Sequence, residues 1–156
     1  MKAQKTPCIG MCSTTSLGDA VCRGCRRYSF EVISWNGYDE DEKLAVLRRI
    51  EKLVCLILEE KFTIVCVATL ESELKKLSVP FNAQLSPYCW LHNLFKKKKK
   101  HIESLHKYGV TMHSKLEKIP LHEILAQVDS ELQVLSEAHL DRYFYTPKTQ
   151  LICVGG

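Results

Sequence analysis

The chain has 156 residues, 46% of them hydrophobic and 26% charged, with a net charge of +4. That composition supplies a buried core and excludes a wholly disordered chain, and the length fits one domain, or one domain with a small metal-held appendage. The mild basicity permits an acidic partner such as nucleic acid without requiring one.

Residues 1–27 read as a loop-rich segment punctuated by Gly10, Gly18 and Gly24, with too few apolar residues to fold unaided. Met1 to Pro7 leads into the first cysteine without an apolar run, so no secretory or lipoprotein signal is expected. Ser29 is the expected cap of a short helical turn carrying Phe30, Ile33 and Trp35, and Asn36-Gly37 reads as a turn.

A strong helix should follow, with Asp39 as N-cap, Glu42 three residues on, and Leu44, Leu47, Ile50, Val54 and Ile57 recurring at helical spacing. Arg48, Arg49 and Lys52 fall on or near its other face. Phe62 to Ala68 is β-branched and short, which predicts a buried strand, with a continued helix as the alternative. Glu59, Glu60 and Lys61 interrupt the apolar stretch Leu53–Leu70, so it should not span a membrane.

Thr69 is the expected cap of a helix through Leu77, stopped by Pro80. Ser86-Pro87 starts another, carrying Trp90, Leu91, Leu94 and Phe95 on one face. A looser stretch covers 101–120. A last helix is expected from Leu121 to Phe144, with Leu121, Leu125, Val128, Leu132 and Leu135 in phase, ended by Pro147. Leu151 to Val154 reads as a final strand or docked tail. The fold class is therefore mainly α with a minor β component. Residues 1–52 form a cysteine-rich metal module, and residues 53–156 a helical body of unassigned role.

Cys8, Cys12, Cys22 and Cys25 make two close pairs, C-x3-C and C-x2-C, within one short segment. Four soft thiolates brought together suit a tetrahedral site for zinc or an iron–sulfur cluster. The protein is expected to be cytoplasmic, and in a reducing compartment its eight cysteines favour metal ligation over disulfides. Gly24 suits a tight knuckle in which backbone N–H groups point at sulfur. Arg23, Arg26 and Arg27 stand beside the last pair, where they would offset the negative charge of either metal centre or contact an acidic partner.

The ordered set Pro7-Cys8-Ile9-Gly10-Met11-Cys12, Cys22-Arg23-Gly24-Cys25-Arg26-Arg27, Ile33-Ser34-Trp35 and the capped helix Asp39 to Ile50 resembles the bacterial domain-of-unknown-function 1289 family, over about residues 6–52. Gln84 to Trp90, Tyr108-Gly109 and Leu135 to Phe144 are similar to its longer, two-part members. Members are commonly described as predicted iron–sulfur proteins. The resemblance implies a four-cysteine cluster site, favours iron–sulfur (4Fe–4S) over Zn2+, and implies no reaction.

Elsewhere the residues carry less. Cys55, Cys66, Cys89 and Cys153 lie in apolar runs and are expected in the core. Cys89 stands out because it follows the Ser-Pro helix start, where a thiolate is favoured. The six histidines match no metal motif and read as surface or capping groups. Between His92 and Lys118 eight lysines face two glutamates. Lys96, Lys97, Lys98, Lys99 and Lys100 either close a helix C-terminus or track phosphates. No phosphate loop, nucleophile elbow or paired catalytic carboxylates appear, so an enzyme is the less favoured reading. The expected function is a small iron–sulfur protein that passes electrons, senses redox state or holds a protein redox or assembly partner. The alternative is a zinc-stabilised module binding nucleic acid or a nucleic-acid-associated protein.

Overall fold

The computed structural model describes residues 6–10 and 12–145. The chain is mostly helical, and the described residues form one two-stranded antiparallel sheet. In order come α1 (Ser13–Leu17), α2 (Ser29–Ser34), α3 (Glu40–Glu59), β1 (Phe62–Ile64), α4 (Val67–Lys76), α5 (Pro87–Lys98), β2 (Val110–Met112) and α6 (Leu121–Leu140). Short 3-10 turns join several of them, and a π turn, Asp141–Tyr145, continues α6. The expected strand or tail at 151–154, and Cys153, lie outside the described residues. Among the described residues no helix is long and apolar enough to cross a membrane.

Two of the four expected caps, Asp39 and Ser86, form as the side chains dictate. Asp39 accepts the Glu42 N–H at 2.8 Å, and the Glu42 carboxylate accepts the Asp39 N–H at 2.9 Å. This reciprocal pair starts α3 and is worth about 1 kcal/mol. The Ser86 hydroxyl accepts the Tyr88 N–H at 3.2 Å, with Pro87 as the first helical residue of α5. In α2, Tyr28 takes the N-cap position expected of Ser29, and the Glu31 carboxylate accepts its N–H at 2.8 Å.

The strand expected over 62–68 is cut to three residues. It pairs with β2 in the register Phe62–Met112, Thr63–Thr111, Ile64–Val110. The N–H groups of Val65 and Cys66 then turn onto the Gly109 carbonyl, at 2.8 and 3.1 Å. Helix α4 starts immediately, with Cys66 as its N-cap, so Thr69 sits inside the helix it was expected to cap. Gly109 has φ +69°, and a Cβ there would stand 2.6 Å from the Cys66 carbonyl oxygen. Only glycine suits this crossing of two backbones.

The main core joins Val54, Ile57 and Leu58 of α3 to Leu70 and Leu74 of α4, Leu91, Leu94 and Phe95 of α5, and Ile124, Val128 and Leu132 of α6. Phe62 of β1 meets Phe95 with ring centroids 5.1 Å apart. Each fully buried large apolar side chain here contributes about 1.5–3 kcal/mol. The buried stripe of α6 is Ile124, Val128, Leu132, Ser136 and Leu140, a four-residue spacing, whereas Leu135, expected in phase, is exposed.

The N-terminal segment is tied to this body on two sides. Glu31 of α2 is buried and makes two bonds to the Arg49 guanidinium, at 2.6 and 2.7 Å. Arg49 also stands 3.7 Å over the Tyr28 ring. The outward face expected for Arg49 is therefore corrected: a buried carboxylate requires a charged partner and draws the arginine inward. Tyr28, Phe30 and Phe144 form an aromatic triangle with centroids 5.3 to 5.6 Å apart, joining the module to the end of α6.

Candidate metal centre

Cys22 to Arg27 form one tight knuckle. The Arg26 N–H reaches the Cys22 carbonyl at 2.8 Å, and the Cys22 N–H reaches the Arg27 carbonyl at 2.9 Å. A bridge between Val21 and Tyr28 closes its base. The residue in the left-handed region is Arg26, at φ +65°; no positive φ falls on Gly24, where the turn was expected. A non-glycine residue there costs about 1–2 kcal/mol. The Arg26 side chain is buried and pairs with Asp129 and Gln133 of α6, which offsets that cost.

The knuckle presents N–H groups to sulfur as the sequence suggested. Burial pushes the Cys22 thiol up, but the backbone N–H groups of Cys25, Gly24 and Ser13, with the Cys25 thiol, outweigh it and bring it down to about 7. Cys25 is held above its ordinary value by burial, against the Arg27 guanidinium, whose Nε donates to its sulfur at 3.3 Å. Arg27 also stacks 4.7 Å from the centroid of Trp35.

The first pair reaches this knuckle through Ser13. Cys12 is the N-cap residue of α1, and the next residue, Ser13, gives its N–H to Cys22 sulfur while its hydroxyl accepts the Arg23 N–H at 2.8 Å. Cys8 lies half-exposed upstream, its sulfur accepting the Gly10 N–H at 3.4 Å. The assembled half is thus Cys22 with Cys25, and Cys12 is tethered beside it. Among the described residues no three Cys, His, Asp or Glu side chains converge as a metal group. The donor chemistry nonetheless fits a thiolate-bound centre: backbone N–H groups favour the thiolate of Cys22, and the Arg27 guanidinium opposes the burial that raises Cys25.

Of the three arginines only Arg23 is exposed, paired with Asp19 at 3.1 Å, while Arg26 and Arg27 are buried. The lysine run ends α5 as the capping reading requires. Lys97, Lys99 and Lys100 are exposed, Lys98 is partly so, and Lys96 is drawn inward, where burial lowers it to about 8. A groove of about 1250 Å3 runs between the two regions, with Cys12 and Arg23 on one wall and Lys96, Lys99 and Lys100 on the other. Sequence spacing gave no sign of that meeting. His92 was also missed: it is buried on α5 rather than on the surface, and burial, then Lys96 and Arg26, hold it well below the ordinary imidazole value.

Among the described residues no body cysteine is fully buried, although Cys89 packs against the main core. Cys55 and Cys89 are half-buried and Cys66 is exposed. The thiolate expected at Cys89 belongs instead to Cys55. The Cys55 thiol and burial push Cys89 up, while its hydrogen bond from Cys89 brings Cys55 down to about 7 against burial.

Residues 6–53 match the family model described as "Protein of unknown function (DUF1289)". No curated protein and no solved structure matches the chain.

Proposed function

We propose, from the match of residues 6–53 to the DUF1289 family model, that this chain is a small metal-binding protein whose Cys8, Cys12, Cys22 and Cys25 hold an iron–sulfur cluster, most simply 4Fe–4S. The observation that carries the reading is the buried Cys22 sulfur, which receives the N–H groups of Cys25, Gly24 and Ser13. When bound, such a cluster supplies one-electron redox chemistry. The chain's own residues do the rest. The knuckle N–H groups and Arg27 stabilise thiolate charge, Arg26 fixes the knuckle to α6, and the buried pair Cys22 and Cys25 limits access of water.

Four protein ligands close the coordination sphere, which favours electron transfer, redox sensing or partner binding over substrate chemistry at the metal. In this reading the protein works in the cytoplasm, residues 1–52 act as the metal module, and 53–156 form the body to which a redox or assembly partner docks. Zn2+ is the alternative occupant, and one observation favours the matching role. The exposed Lys99 and Lys100 line the same groove as Arg23, a surface suited to phosphates.

Anaerobic purification followed by visible absorption and elemental analysis tests the reading. Iron and sulfide in equal amounts, with broad visible absorption, support the cluster. A colourless protein with about one zinc per chain overturns it in favour of the structural zinc module.

A further inference from the structure

We propose that Cys55 and Cys89 form a redox-active dithiol that closes to a disulfide on reaction with a low-molecular-weight disulfide. The inference concerns neither the four N-terminal cysteines nor the metal they would hold.

The two residues come from different helices that pack side by side, Cys55 on the last turns of α3 and Cys89 in the first turn of α5. Their thiols share a hydrogen bond, and the Ser86 hydroxyl also bonds Cys55. Ser86 is fixed in place from both sides. Its N–H reaches the Glu51 carboxylate at 2.6 Å, one turn before Cys55, and its carbonyl accepts the Cys89 N–H at 2.8 Å. The pair therefore sits in a rigid frame of α3, the α5 cap and the first α5 turn. Two thiols within hydrogen-bonding reach on neighbouring packed helices are placed to form a disulfide.

The two thiols are not equivalent. Both are half-buried, but Cys89 also lines a small pocket of about 50 Å3 together with Cys25, Arg26, His92 and Lys96. Hydrogen bonding from Cys89, and then from Ser86, holds Cys55 down near 7 against burial and the charges of Glu59 and Glu51. Cys55 is the attacking thiolate and Cys89 the resolving thiol.

The step balances as thiol–disulfide exchange. The Cys55 thiolate attacks one sulfur of the small disulfide, the S–S bond breaks, and one thiolate leaves. Cys89 passes its proton to that thiolate, and its sulfur attacks Cys55, expelling the second thiolate, which takes a proton from water. Two protein thiols lose two electrons, and one disulfide becomes two thiols. The product straps α3 to the start of α5 beside the cavity that also reaches Cys25.

The test uses the full-length, metal-loaded protein incubated with glutathione disulfide, quenched with N-ethylmaleimide, digested and read by mass spectrometry. The expected result is a linked Cys55–Cys89 peptide in the wild type. In Cys89→Ser the reaction should stop with glutathione on Cys55, and in Cys55→Ser Cys89 should remain a free thiol. A wild type in which both residues carry only maleimide, or in which either links to a different cysteine, overturns the proposal. If Cys55→Ser loses its wild-type far-UV spectrum, the glutathione trap in Cys89→Ser decides: glutathione on Cys55 supports the dithiol, and an unmodified Cys55 overturns it.

Discussion

Arg26 in the cysteine knuckle and Asp129 on α6 are 103 positions apart in the chain and form an ion pair in which the arginine is almost wholly buried and the aspartate largely exposed. Gln133, one turn on, bonds the same guanidinium and also reaches the Val21 carbonyl at 3.1 Å. The knuckle is thus fastened to the body at the residue that carries its backbone strain. Asp129→Ala should leave a buried cation short of its counter-ion and cost about 1–2 kcal/mol in urea unfolding. Glu71→Ala, which removes the exposed pair with Lys75, should cost no more than about 0.5 kcal/mol. Equal losses from the two variants would show that the Arg26 contact does not fix the knuckle.

Cys22→Ser should reduce bound metal from about one centre per chain to essentially none, because ligation and local folding are coupled. The main core of α3 to α6 contains none of the four proposed ligands. Far-UV helicity should therefore be largely retained. Collapse of the whole helical signal would show that the body depends on the metal module.

Gly109→Ala places a Cβ against the Cys66 carbonyl at a backbone conformation that L side chains avoid. The substitution should cost at least about 2 kcal/mol, read as a lower urea midpoint with an unchanged slope. An unchanged midpoint would mean that β2 and the start of α4 separate easily.

Alkylation of Cys55 should rise with a midpoint near pH 7, while Cys89 stays unreactive through pH 9. Glu51, Glu59 and Lys96 are the charged groups facing the pair. The pair also sets a stability trend. The folded Cys55 is depressed below the ordinary thiol value of 9.0, so its contribution is complete above that pH and is lost as pH falls through about 7. Cys89 is raised, so its contribution is present below 9.0 and fades at higher pH. The combined contribution should peak near pH 9, and Cys55→Ser with Cys89→Ser should flatten that profile. An identical profile in the double variant would assign the trend to other groups.

The sequence by itself determined the elements whose signals are local. Asp39 with Glu42, and Ser86 with Pro87, cap their helices using groups three residues away or fewer, so no distant partner is needed to fix them. The C-x2-C knuckle was likewise readable, because the N–H groups that surround the Cys22 sulfur come mainly from its own turn. Tertiary structure decided whatever depends on a partner far along the chain. The strand after Phe62 ends at Ile64 because the Gly109 carbonyl captures the next two N–H groups. Arg49 turns inward because Glu31 is buried, and Arg26 adopts a left-handed backbone because Asp129 and Gln133 hold its side chain. Cys55 rather than Cys89 becomes the thiolate because two helices bring their sulfurs together, and burial and hydrogen bonding, which set a thiol's proton affinity, exist only once those helices have packed.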